Sequence, residues 1–143
     1  MNIQFIGMAC ALCLSAIGSG LGAGCASQAA VGGWKKCYAA GKPAPFIMVA
    51  FAGAPLTQTI YGFLLMGFIR DNAKDPLLAL CVGVLGGFAI GLSAYLQGRV
   101  SACACDSLSE SGKGTANYFT VIGVVETVAL FSLVFCLLLL TSN

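Results

Sequence analysis

The sequence has no histidine, one tryptophan and very little charge: 8% of its 143 residues are charged and 59% are hydrophobic. A soluble domain carries about 25% charged residues, and this chain has too few to cover a water-facing surface. A soluble fold is excluded. The net charge of +2 forms no basic stripe and comes with no aromatic stacking pattern, so nothing points to nucleic acid. No positive segment precedes the first apolar run, which argues against a cleaved signal peptide.

What the chain has is apolar length. A transmembrane helix needs about 20 mostly apolar residues, and four runs qualify: roughly 3–33, 44–69, 77–105 and 115–141. Three short polar segments separate them: Trp34 to Pro43, Arg70 to Pro76 and Asp106 to Gly114. The ends, Met1-Asn2 and Ser142-Asn143, are almost bare. Lys35, Lys36, Lys42, Arg99 and Lys113 sit in or near the first and third segments, against Arg70 and Lys74 in the second. That bias predicts both hairpin loops on the cytoplasmic side and the termini outside. Spans 1 and 3 exceed the hydrocarbon thickness, so their cytoplasmic ends should project beyond the membrane. Trp34 and Tyr118 are expected to anchor that interface.

The two halves resemble each other. Offset by 74, Ser19 meets Ser93, Gly24 meets Gly98 and Ser27 meets Ser101. The expected fold is therefore all-α, with four transmembrane helices as two tandem repeated hairpins, residues 1–72 and 73–143, in the same orientation. Gly18/Gly22, Gly20/Gly24 and Gly83/Gly87/Gly91 are spaced four apart and predict closely packed helices. A dinucleotide fingerprint over Gly18–Gly24 is rejected, because no strand precedes it.

The eight cysteines have no histidine and no matched second pair beside Cys10/Cys13 or Cys103/Cys105. They read neither as a metal site nor as a disulfide framework. Cys10, Cys13, Cys81 and Cys136 fall in apolar spans as small hydrophobes. Cys25, Cys103 and Cys105 read as small packing residues, and Cys37 as the exposed thiol.

Asp71, Asp75, Asp106 and Glu110 lie in loops or at span ends; Glu126 lies near the middle of span 4. A charge at that depth costs about 2.5–3.5 kcal/mol on insertion scales, so it needs a partner or a proton. No Lys or Arg is expected at comparable depth, which leaves a proton or a bound cation. Span 2 offers Ala54, Thr57, Gln58 and Tyr61 on one face. Pro55 lacks an amide hydrogen and disturbs the helix, freeing carbonyls. Span 3 adds Gln97. A carbonyl, a hydroxyl, two amides and one carboxylate suit a hard monovalent cation and would be superfluous for a bare proton, so Na+ is the preferred ion. The competing reading has Thr57, Gln58 and Gln97 merely bonding one another across helices.

The runs Ala54-Pro55-Leu56-Thr57-Gln58-Thr59-Ile60-Tyr61-Gly62, Leu96-Gln97-Gly98-Arg99-Val100 and Val124-Val125-Glu126-Thr127 make the chain similar to the proteolipid (K or c) subunit of rotary V-type ATPases, sodium-transporting type, over essentially its whole length. The resemblance implies a non-catalytic subunit assembling with copies of itself into a membrane ring. The ring turns against a stator a/I-type subunit and joins central-stalk subunits at its cytoplasmic loops, in a prokaryotic cytoplasmic membrane. It also implies Thr57, Gln58, Gln97 and Glu126 as side-chain ligands of Na+, Ala54 as a backbone ligand, and Tyr61 as the residue holding the carboxylate. H+ is the competitor or alternative ion. Leu56 stands where single-hairpin relatives carry a carboxylate, implying one ion per two hairpins. A small four-helix cation-coupled transporter or a structural proteolipid are the other classes. The first would want aromatic residues around Glu126, and the second would not need Gln58 and Gln97 at depth.

Overall fold

The computed structural model describes residues 3–142. Met1, Asn2 and Asn143, and with them the expectation about the termini, lie outside the described residues. The helices are α1 (Ile3–Ala39), α2 (Met48–Gly53), α3 (Thr57–Asn72), α4 (Pro76–Ser111) and α5 (Thr115–Thr141), and no strand occurs among the described residues. A 3₁₀ turn, Ala54–Leu56, joins α2 to α3. The two make one span, so four stretches are long and apolar enough to cross a membrane. The protein is an all-α, multi-pass integral membrane protein.

Helix boundaries depart from the apolar runs in one direction. α1 continues to Ala39 rather than 33, and α4 to Ser111 rather than 105. Polarity marks where water begins, whereas a helix continues until a breaker stops it. For α4 the stop is Gly112, in the left-handed region at φ 65°, a conformation that costs glycine nothing. The second span starts at Met48 rather than 44, because Pro43 and Pro45 disfavour helix at the residues before them. At its start α4 is capped by Asp75, whose carboxylate accepts the amides of Leu77 and Leu78 with Pro76 at the first helical position.

α1 packs most extensively against α4; α3 lies against both, and α5 lies against α4 and α3. The α1–α4 seam keeps one register along its length. Ser15 Oγ lies 3.5 Å from the Gly87 carbonyl and Cys37 Sγ 3.6 Å from that of Ser109, each 72 positions apart. Lys36 and Glu110, 74 apart, pair at 3.1 Å. So constant an offset means the two helices run parallel. A Cβ on Gly18 would strike the backbone of Gly91, and one on Gly98 that of Gly22; only glycine permits this approach. Gly20 and Gly24 face open space, so that half of the expected small-residue pattern takes no part in packing within the chain.

Two apolar clusters form. One gathers Ala11, Leu65, Ile69, Val82, Ile90, Ala129, Leu133 and Leu140; the other gathers Ala30, Met48, Phe51, Ala104, Cys105, Leu108 and Ile122 near the longer loops. Trp34 Nε1 donates to the Pro45 carbonyl at 2.9 Å, and Tyr118 and Ser107 share a hydroxyl hydrogen bond at 2.5 Å. The first ties a loop segment to α1, and the second joins α4 to α5 across the short loop 112–114. Two expectations need correction. Cys37 is 2% exposed, sealed against α4, and the exposed thiols are Cys13, Cys81 and Cys103. Arg99 is not near a helix end: it follows Gln97 by two residues, about 3 Å along the axis. The half-turn between them leaves Gln97 buried and Arg99 exposed, so a cation does stand at the depth of the polar residues, on the opposite face of α4.

Candidate functional site

Between the two apolar clusters the helices α3, α4 and α5 close around a polar layer. Its core is the amide pair Gln58 and Gln97, both 0% exposed, with Gln58 Nε2 donating to Gln97 Oε1 at 2.7 Å. Glu126 reaches this pair from α5 and is half-buried, as are Thr57 and Tyr61. Thr57 Oγ1 donates to Glu126 Oε1 at 2.7 Å and Tyr61 OH to the same oxygen at 2.8 Å. Gln97 Nε2 lies 3.4 Å from Glu126 Oε2 and donates at 3.1 Å to the Ile122 carbonyl.

The local sequence explains why these groups converge. Pro55 has no amide hydrogen, and the span tightens into the 3₁₀ turn at that point. Pro55 is buried and packs beside Gly22, where an added Cβ would come within 3.1 Å of the proline ring. From the turn, Thr57, Gln58 and Tyr61 follow at one and three residues' spacing and share a face. The Ala54 carbonyl ends up beside Thr57, accepting its amide and lying 3.1 Å from its hydroxyl.

All seven residues singled out in the sequence, namely Ala54, Pro55, Thr57, Gln58, Tyr61, Gln97 and Glu126, fall in this one layer. Gln97 differs in detail from its expected role: its nitrogen, not its oxygen, faces the carboxylate. Turning the amide over would set its oxygen against the Ile122 carbonyl, two acceptors facing each other, and would break the bond from Gln58; the network fixes the orientation.

Counting protons shows what the layer lacks. Thr57 has one hydroxyl proton and three oxygens within reach, at 2.7 Å (Glu126), 3.1 Å (Ala54) and 3.2 Å (Gln58). The shortest contact takes the proton. The Ala54 carbonyl and Gln58 Oε1 then face the hydroxyl oxygen with nothing positive between them. Around Glu126 both carboxylate oxygens meet donors: Thr57 and Tyr61 on one, Gln97 on the other.

Sequence reasoning missed one residue of the layer. Ser93 Oγ donates to the Val125 carbonyl at 2.9 Å, and with Gln97 it ties α4 to α5 immediately before Glu126. Ser93 lies four residues before Gln97, on the same face, and that spacing was the available signal.

Residues 80–139 match the family model for the C subunit of ATP synthase. The chain is 31% identical over 140 residues to the A-type ATP synthase subunit K of Methanocaldococcus jannaschii, covering 94% of this chain. It spans 60% of the length of that curated relative. The match to the C-subunit model covers the last two spans, which carry Gln97 and Glu126, of a chain similar to a subunit K along nearly its whole length.

Proposed function

We propose that this chain is an ion-carrying rotor subunit of an A/V-type rotary ATPase, moving Na+ through reversible binding at Glu126. The observation that carries the choice of ion is the surplus of oxygens around Thr57, where three acceptors crowd one hydroxyl proton. A hard cation supplies the missing positive charge, and one carboxylate neutralises a monovalent ion. Ala54, Thr57, Gln58 and Glu126 offer oxygens as they stand. Gln97 offers the free lone pair of an oxygen already held by Gln58, and Tyr61 steadies the carboxylate.

The energetics of rotation follow. A loaded site is neutral and passes through lipid cheaply, whereas an empty carboxylate does not. Copies of the chain in a ring carry loaded sites past the bilayer. A basic residue of the stator subunit stabilises each emptied Glu126 while water-filled half-channels exchange the ion. One charge moved across 100 mV is worth about 2.3 kcal/mol, and catalysis on ATP belongs to partner subunits at the central stalk. Setting the deep Arg99 aside, Lys35, Lys36, Lys42 and Lys113 still outnumber Arg70 and Lys74, which supports loops 40–47 and 112–114 on the cytoplasmic, stalk-facing side. Residues 1–72 and 73–143 act as two hairpins sharing one ion.

Carbodiimide labelling of Glu126 in membranes, titrated with Na+ at several pH values, tests this reading. The reagent attacks a protonated buried carboxyl, so protection by Na+ but not by K+ or choline is the expected result. Equal labelling with and without Na+ would leave a proton rotor and remove sodium.

A further inference from the structure

Two hydroxyls among the described residues are buried without any hydrogen-bond partner, those of Ser19 and Ser101. A buried helical serine ordinarily satisfies itself on the carbonyl one turn back, as Ser15 does with Ala11 at 2.8 Å. Ser19 does not, although it is 1% exposed. An orphaned polar atom at that depth needs a reason.

Its position supplies one. Ser15 lies against Gly62, where an added Cβ would come within 2.5 Å of Ser15 Oγ, and Gly22 lies against Pro55. Ser19 sits between these contacts on the same face of α1, four residues after Ser15 and three before Gly22. Gln58 sits between them on the opposing span, four residues before Gly62 and three after Pro55. Ser19 and Gln58 therefore occupy the same level of the seam between α1 and α3. The Gln58 amide has two N–H donors, of which one goes to Gln97 Oε1.

We propose that Ser19 is a positioning residue of the ion site: its hydroxyl takes the second N–H of the Gln58 amide through one buried water. The effect is on orientation. An amide held by both N–H groups, one on Gln97 and one on Ser19, keeps Oε1 turned toward Thr57 and Glu126. Released from Ser19, the amide can turn its nitrogen inward, where it repels a cation. α1 thereby becomes a fourth helix contributing to a site otherwise built from α3, α4 and α5. Ser101 has no such role: it lies one turn beyond Gln97 on α4, whose amide N–H groups are already taken by the Ile122 carbonyl and the Glu126 carboxylate.

The proposal rests on the sodium reading above, and the test separates the two. In membranes carrying the full chain, Na+ protection of Glu126 from carbodiimide is titrated for wild type, Ser19→Ala, Ser101→Ala and Ser19→Ala combined with Gln58→Leu. Ser19→Ala should raise the half-protecting Na+ concentration about three- to tenfold and shift the pH midpoint of labelling in the absence of Na+. Ser101→Ala should leave both unchanged. In the Gln58→Leu background the Ser19 change should add nothing further, because the two act as a unit. Equal shifts from Ser19→Ala and Ser101→Ala, or full additivity with Gln58→Leu, would overturn the proposal. If wild type itself gains no protection from Na+, the sodium reading falls. The Ser19 proposal then stands or falls on whether Ser19→Ala, and not Ser101→Ala, moves the pH midpoint of labelling.

Discussion

The first pair of spans and the second share a frame and differ in what they bury. Ser19 and Ser93, Gly24 and Gly98 match at one offset, and that offset also places Ala23 against Gln97. Past the shorter loop of the second half the offset falls to 70, and Leu56-Thr57 corresponds to Glu126-Thr127. In the second pair an amide and a carboxylate meet across α4 and α5; in the first, a methyl and an isobutyl group stand at those places. Leu56 is 54% exposed and has an apolar surface to offer lipid, whereas Glu126 turns inward onto Thr57 and Tyr61. Small-residue packing survives duplication unchanged because it needs only shape. A charge in the membrane survives only where partners for it survive too, and here they surround one copy.

Replacing the charge gives the largest expected effect on this contrast. Glu126→Gln should abolish carbodiimide labelling and lower Na+ binding by more than about a hundredfold, read by ²²Na+ binding to purified protein, since only the carboxylate neutralises the ion. Installing the charge in the other copy is the converse. Leu56→Glu should add a second labelled carboxyl that Na+ does not protect and should cost about 2.5–3.5 kcal/mol on insertion, read by labelling stoichiometry and membrane yield. Protection at Leu56→Glu would mean that the first pair retains a hidden site.

Smaller effects test the groups that the first pair lends to Glu126 from α3. Thr57→Ala should weaken Na+ protection about ten- to a hundredfold, as loss of a hydrogen bond to a charged group costs about 1.5–3 kcal/mol. Tyr61→Phe, which leaves the Thr57 bond to the same oxygen, should weaken it about threefold to tenfold. In every variant that keeps Glu126, protection should weaken as pH falls, because a proton and a metal ion each neutralise the same carboxylate. A Na+ titration whose midpoint did not move between neutral and acid pH would contradict a shared site.

Much of this was legible in the sequence because polar residues stand out in apolar runs. Glu126, Gln58 and Gln97 are conspicuous for that reason, and Pro55 announces a break in its span. Ser93 was not legible, since a serine in a membrane helix can satisfy itself on its own backbone and gives no sign of reaching across. The depth of Arg99 and the burial of Cys37 were misjudged for a common reason: hydropathy locates the water boundary, and α1 and α4 run on beyond it, paired through Lys36 with Asp106 and Glu110. The idle face at Gly20 and Gly24 was invisible too, because spacing does not say which of two glycine stripes meets a neighbour.

The fixed register between α1 and α4 sets where such a chain tolerates changes in length. One residue inserted into either helix between Gly7 and Cys37, or between Gly83 and Ser109, would rotate everything beyond it by about 100°. Side chains would then fall where glycines now touch backbone. Insertions and deletions in natural variants should therefore collect in 40–47, 73–75 and 112–114, while the two central helices change residue types but keep their count.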